Sequence, residues 1–183
     1  MDDLKVNILR EIPWFGGNYF HPLYFDDSVF RMESCLRAGK SVPAHYHKYF
    51  DEHWTVKKGT PTFVLGREKF PRKPGETFTA PRNAVHALVN DGHEDVILET
   101  EMRPCADMAK MMAVIAGLQD DGEKNWMFKY FFVEKKAGLR EFSTPTGILI
   151  RLVTAMLMPV TMGVGKLWGW DRFLDKYFER TVS

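Results

Sequence analysis

Between Gly39 and Gly59 the chain reads Gly39-x5-His45-x-His47-x4-Glu52-x6-Gly59, and a little further on it reads Gly75-x5-Pro81-x-Asn83-x2-His86-x3-Asn90. His45 and His47 are two apart, so on one strand both rings leave the same face. Glu52 follows His47 by an odd step, which an unbroken strand would send to the opposite face. The chain must therefore bend within Lys48-Tyr49-Phe50-Asp51, and a strand restarting at Glu52 returns the carboxylate to the shared side. Gly59 closes that strand in a turn needing positive φ. His86 belongs to a later strand, predicted over Val85–Asn90. Three strands of a closed sheet can thus bring three imidazoles and one carboxylate to one point. That donor set suits Fe, Mn, Ni, Cu or Zn.

The two blocks resemble the paired motifs of the cupin superfamily. Every marked position matches except Asn83, where that family usually carries Gly. Asn tolerates the left-handed region better than most non-glycine residues, so the turn is expected to survive. The resemblance covers roughly residues 25 to 105. It implies a mainly β fold, a double-stranded β-helix (jelly-roll) barrel, in which His45, His47, Glu52 and His86 bind one divalent metal ion. It also implies a homodimer, since such barrels are often dimeric.

Short runs rich in Val, Thr, Phe and Tyr, broken by turn signals, continue the all-β reading up to about Pro104. Strands are predicted at Val29–Arg37, Ala44–His47, Glu52–Val56, Thr62–Leu65, Thr77–Ala80, Val85–Asn90 and Val96–Met102. Strand parity then sets the interior. With Glu52 inward, Trp54 and Val56 follow it; with His86 inward, so are Ala84, Leu88 and Asn90. Phe30, Met32, Ser34 and Leu36 form the apolar face of the first long strand, and Val96, Leu98, Thr100 and Met102 that of the last. Trp54, Met32, Phe63, Phe78, Leu88 and Met102 are candidates to line a substrate space, although small barrels also fill their interiors with such side chains. No inward position is Lys or Arg, which argues against a phosphosugar substrate. His53, His93 and His21 are expected at the surface.

Four protein donors on an ion that prefers six leave two positions for a small-molecule ligand or substrate. A redox metal favours dioxygenase chemistry on an apolar, aromatic or enol-type compound. A non-redox metal favours isomerase or lyase chemistry, with Glu52 as the catalytic base. The third alternative is a non-catalytic binding or sensing module. The formal charge of +1 is evenly spread and includes no basic arm, so no nucleic-acid partner is expected. Two isolated cysteines and an N-terminus without an apolar core point to the cytoplasm.

After Pro104 the pattern turns helical, giving a barrel over residues 1–105 and a C-terminal extension over 106–183. Asp107 is expected to cap a helix to about Leu118, with Met108, Met111, Met112 and Ile115 as its apolar stripe. Asn125–Lys136 is ambiguous. Thr144-Pro145 is expected to open a helix, and Trp170–Arg180 to form a last amphipathic one. Ile148–Gly165 is apolar nearly all round, interrupted by Arg151 and Pro159. It reads as a pair of short helices packed on the barrel or a dimer mate, with peripheral membrane contact through residues 146–170 as the alternative and a spanning helix as the last.

Overall fold

Alternation of apolar and polar side chains places eleven strands, seen in a computed structural model that describes residues 7–139 and 144–177. They are β1 (Ile12–Pro13), β2 (Tyr19–Phe25), β3 (Phe30–Leu36), β4 (Ser41–Tyr46), β5 (Asp51–Lys58), β6 (Thr62–Leu65), β7 (Glu68–Pro71), β8 (Thr77–Ala80), β9 (His86–Val89), β10 (Val96–Arg103) and β11 (Thr144–Pro145). They form two antiparallel sheets, in the orders β1-β2-β3-β10-β5-β8 and β11-β4-β9-β6-β7. Glu52, Trp54 and Val56 are buried on β5 while the residues between them are only half-buried. On β10, Val96, Leu98, Thr100 and Met102 are buried in the same alternating way. These are the inward sets that parity requires. Gly59, at φ 77°, ends β5 where an added Cβ would stand 2.8 Å from the Val96 side chain and 3.1 Å from the Asp95 carbonyl.

The strands Thr62–Leu65 and Thr77–Ala80 form as expected, and the other predicted strands differ only at their ends. Four further strands carry no clear sequence signal. β2 holds Pro22, tolerated because β1 pairs only Phe20 and Tyr19 and the β2–β3 register shifts beside Pro22. Thr144-Pro145 does not open a helix: it pairs with Tyr46 and His45 as an edge strand, where a proline without an N–H is admissible. Thr146 extends this seam by donating both its backbone N–H and its hydroxyl to the Ala44 carbonyl, at 3.2 and 3.0 Å.

The described residues divide into two compact units, the strand unit (9–106 with 144–146) and a helical unit (7–8, 107–139 and 147–177). The latter holds α1 (Met108–Asp120), α2 (Trp126–Ala137), α3 (Ile148–Leu167) and α4 (Arg172–Tyr177). Asp107 sits at the N-cap position of α1 but makes no side-chain cap bond, its ψ of 22° lying outside the extended conformation a capping carboxylate needs. Apart from Lys110, α1 is buried on every side from Met108 to Leu118, not along a stripe alone.

The ambiguous segment is helical as α2, and α4 takes up part of Trp170–Arg180, whose end lies outside the described residues. Ile148–Leu167 is one helix, not two. Pro159 removes only its own bond to the carbonyl of Ala155, which is exposed, so water can satisfy it. At the other end of α3, Gly165 is buried so closely that an added Cβ would fall on the Phe132 ring and within 2.8 Å of Trp170.

Candidate metal centre

The bend after β4 carries the chain from the five-stranded sheet to the six-stranded one, so the two sheets face each other with donors on both. His45 stands on β4 opposite His86 on β9, next to a register irregularity that begins after Val42. His47 leaves the chain just past the end of β4, and Glu52 is the second residue of β5. One donor atom from each of His45, His47, Glu52 and His86 can be chosen so that all lie within 4.8 Å of one another. His47, Glu52 and His86 are buried, and His45 is half-buried at the open side of the cluster.

Each ring is held from behind. The Nδ1 of His45 lies 2.7 Å from the Pro43 carbonyl and that of His86 lies 2.9 Å from the Ala84 carbonyl. A carbonyl can only accept, so Nδ1 carries the proton and Nε2 presents its lone pair to the centre. His47 stacks on the buried Phe50 with centroids 4.4 Å apart. Asn83 adopts φ 66° and donates its backbone N–H to the His47 carbonyl at 2.7 Å, so asparagine does serve in the left-handed turn. Sequence reasoning missed these supports, because backbone carbonyls and a bend phenylalanine carry no spacing signal.

The electrostatics keep His45 and Glu52 in ligand form. Burial pushes the His45 imidazole down to about 4, with the neighbouring His86 adding to the effect, so the ring is neutral near pH 7. Burial alone would raise the Glu52 carboxyl. The His47 and His86 imidazoles outweigh it and hold the carboxyl well below the usual range. His47 Nε2 lies 2.6 Å from Glu52 Oε2, whereas His86 Nε2, 3.5 Å from the same oxygen, is buried without a hydrogen-bond partner. A buried ring nitrogen left unpaired is costly. A cation gathered by all four donors would satisfy it, so the residues present fit a divalent metal.

The predicted lining residues are all buried. Trp54, Phe63, Phe78 and Leu88 belong to one apolar cluster with Leu36, Val56, Ala80, Val96 and Leu98. Trp54 also reaches the centre, its ring 5.5 Å from that of His86. Met102 stands opposite Glu52 on the neighbouring strand, and Met32 opposite Thr100. His53 faces away and bonds Thr79, and His93 is exposed, as expected; His21 is half-buried.

Residues 32–100 match the family model described as the cupin domain. Among solved structures, KdgF from Halomonas sp. is 20% identical with a TM-score of 0.51, over 54% of this chain and 91% of that one. A conserved protein with a double-stranded β-helix domain from Klebsiella pneumoniae is 22% identical with a TM-score of 0.46, over 50% of this chain and 81% of that one. TT1209 from Thermus thermophilus is 18% identical with a TM-score of 0.47, over 56% of this chain and 99% of that one. At such identities the likeness to the Halomonas protein shows a shared fold. No curated protein matches the sequence.

Proposed function

We propose that this chain, which carries a cupin domain over residues 32–100 and so belongs to the cupin superfamily, binds one divalent metal through His45, His47, Glu52 and His86 and uses it on a small apolar or enol-type molecule. The observation that carries the reading is the convergence of four donors from both sheets on one point, with a buried His86 Nε2 left unpartnered there. A divalent ion in that position would supply Lewis acidity towards an oxygen-bearing ligand and, if redox-active, reactivity towards dioxygen.

The chain's own residues have separable roles. Pro43 and Ala84 fix the tautomers of His45 and His86, and Phe50 orients His47 by stacking. Trp54 and Phe63, with Met102 beside Glu52, exclude water and favour an apolar ligand. The absence of any buried Lys or Arg in the strand unit, among the described residues, fits a ligand without a phosphate. Dioxygenase chemistry on a phenolic, enol or diketone compound is the specific form we favour.

A second reading rests on the buried polar inventory. Beyond the cluster, the strand unit buries only Asn90 and Thr100 among its described polar residues. Asn90 is committed to the carbonyls of Leu36 and Glu94, and Thr100 to Ser34. No separate acid–base group is thus at hand. This favours either Glu52 itself as base, in isomerase or lyase chemistry, or a binding role without catalysis.

Elemental analysis of protein purified without chelator or nickel resin, followed by oxygen-electrode traces of the Fe- and Mn-loaded forms with phenolic and diketone compounds, separates these. One redox metal per chain with oxygen uptake supports the dioxygenase. Full zinc without uptake supports the Lewis-acid or binding reading. A folded protein that takes up no metal overturns both.

A further inference from the structure

Helix α3 presents apolar side chains to solvent on a scale that chain packing does not explain. Ile148 and Leu149 are 77% and 74% exposed, Met156 is 75% and Val160 60%, and Leu152, Val153 and Leu157 are about half exposed. Projected at 3.6 residues per turn, these positions cover an arc of about 180°. Burial on the opposite side is confined to the C-terminal end of the helix, where Gly165 packs against Phe132 and Trp170, while residues 151–157 are exposed all round. Apolar patches of this kind mark an interaction surface.

We propose that the helical unit docks on an anionic lipid surface through this face of α3, the helix lying along the interface. The first support is charge. Residues 144–170 contain no Asp or Glu, and their only charged groups are Arg151 and Lys166. A second copy of the helix would set like charges together in either orientation, whereas helix pairs use a narrow seam flanked by charges of opposite sign. A broad apolar arc with only cations at its ends suits an anionic membrane.

The second support is continuity with a cationic groove. Leu157 and Val160 belong to the exposed face and also line a groove of about 530 Å³ between α2 and α3, which Trp168 and Phe128 share. Its lining includes Lys124, Arg172 and the buried Lys129. Glu123 is paired with Lys129 and lies 3.6 Å from Arg172. Trp168, 67% exposed, follows Lys166 at the end of the helix, where an aromatic ring sits well at a membrane boundary. The uncharged run from Leu152 to Gly165 is too short for the hydrocarbon thickness, and among the described residues no helix is long and apolar enough to cross a membrane.

The test is sedimentation of the full chain with vesicles of phosphatidylcholine alone and of phosphatidylcholine mixed equally with phosphatidylglycerol. The mixed vesicles are expected to bind at least about tenfold more tightly. Leu152→Glu combined with Met156→Glu should abolish binding, and both side chains are exposed, so circular dichroism should be unchanged. Arg151→Gln combined with Lys166→Gln should reduce the preference for the mixed vesicles by about fivefold for each cation removed. Equal sedimentation of the wild type and the Leu152→Glu/Met156→Glu variant overturns the proposal. So does failure of the wild type to bind vesicles, with light scattering showing a dimer that this variant dissolves, since a second copy would then cover the face.

Discussion

His47 Nε2 and Glu52 Oε2 stand 2.6 Å apart although the chain turns from one sheet of the barrel to the other between them. The contact ties the two sheets at the point where the four side chains gather, so a metal bound there, as proposed, would link its occupancy to barrel stability. A metal that binds only the folded barrel, present at a hundredfold its dissociation constant, should stabilise it by about 2.7 kcal/mol. Thermal unfolding with and without chelator measures this, and an unchanged midpoint would mean the four donors hold no ion.

Replacing His47 by Ala should remove stoichiometric metal while leaving a folded barrel. The imidazole is buried, but its loss opens a space beside Phe50 and Glu52 without disturbing the β4–β9 pairing. Elemental analysis together with circular dichroism is the check. Full metal occupancy in the variant would show that the ligands are assigned wrongly.

Asn83 holds φ 66° while its N–H bonds the His47 carbonyl. Asn83→Gly should leave stability and metal affinity within a few tenths of a kcal/mol. Asn83→Val should cost about 1–2 kcal/mol and weaken metal binding, because a branched Cβ opposes the left-handed conformation that positions His47. Urea unfolding and metal titration of the two variants should separate them.

Gly165→Ala should destabilise the helical unit by about 1–3 kcal/mol, since the new methyl collides with the Phe132 ring. Metal content in the barrel should be unaffected. Tryptophan fluorescence during urea unfolding reads the first effect and elemental analysis the second.

Acid should loosen α4 through Asp121. Hydrogen bonds from Lys176 and Tyr177 hold its carboxyl below the ordinary value of 3.8. A depressed folded value contributes stability that is present above the unfolded value and lost as the pH falls through the folded one. The loss should therefore fall below pH 3.8 and be absent in Asp121→Asn. Burial first, and then the Asp121 carboxylate, raise the Tyr177 phenol, so its hydroxyl stays a donor throughout this range. A fluorescence-monitored acid titration of both proteins tests the assignment.

The centre was legible because its information is local: a two-residue step, a bend and a strand restart place His45, His47 and Glu52 in nearly contiguous chain. Parity then sorted β5 and β10 correctly, since each alternates without interruption. The segments that eluded sequence reasoning depend on distant partners. Thr144-Pro145 looks like a helix start until β4 offers it an edge, and no local pattern reports that pairing. Pro159 looks like a break, yet the helix runs through it, the lost bond falling at the exposed residue Ala155. The tautomers of His45 and His86 rest on carbonyls, which every residue possesses.

The late return of β11 to β4 also has a consequence for biosynthesis. The strand that carries His45 leaves the ribosome long before Thr144 and Pro145, its edge partners. At ordinary translation rates that interval is about 5–20 s. During it, the outer edge of β4 offers unpaired N–H and C=O groups to any extended chain nearby. The nascent barrel is therefore most exposed to wrong pairing beside His45, and it is relieved only when two helices have been made and the chain comes back.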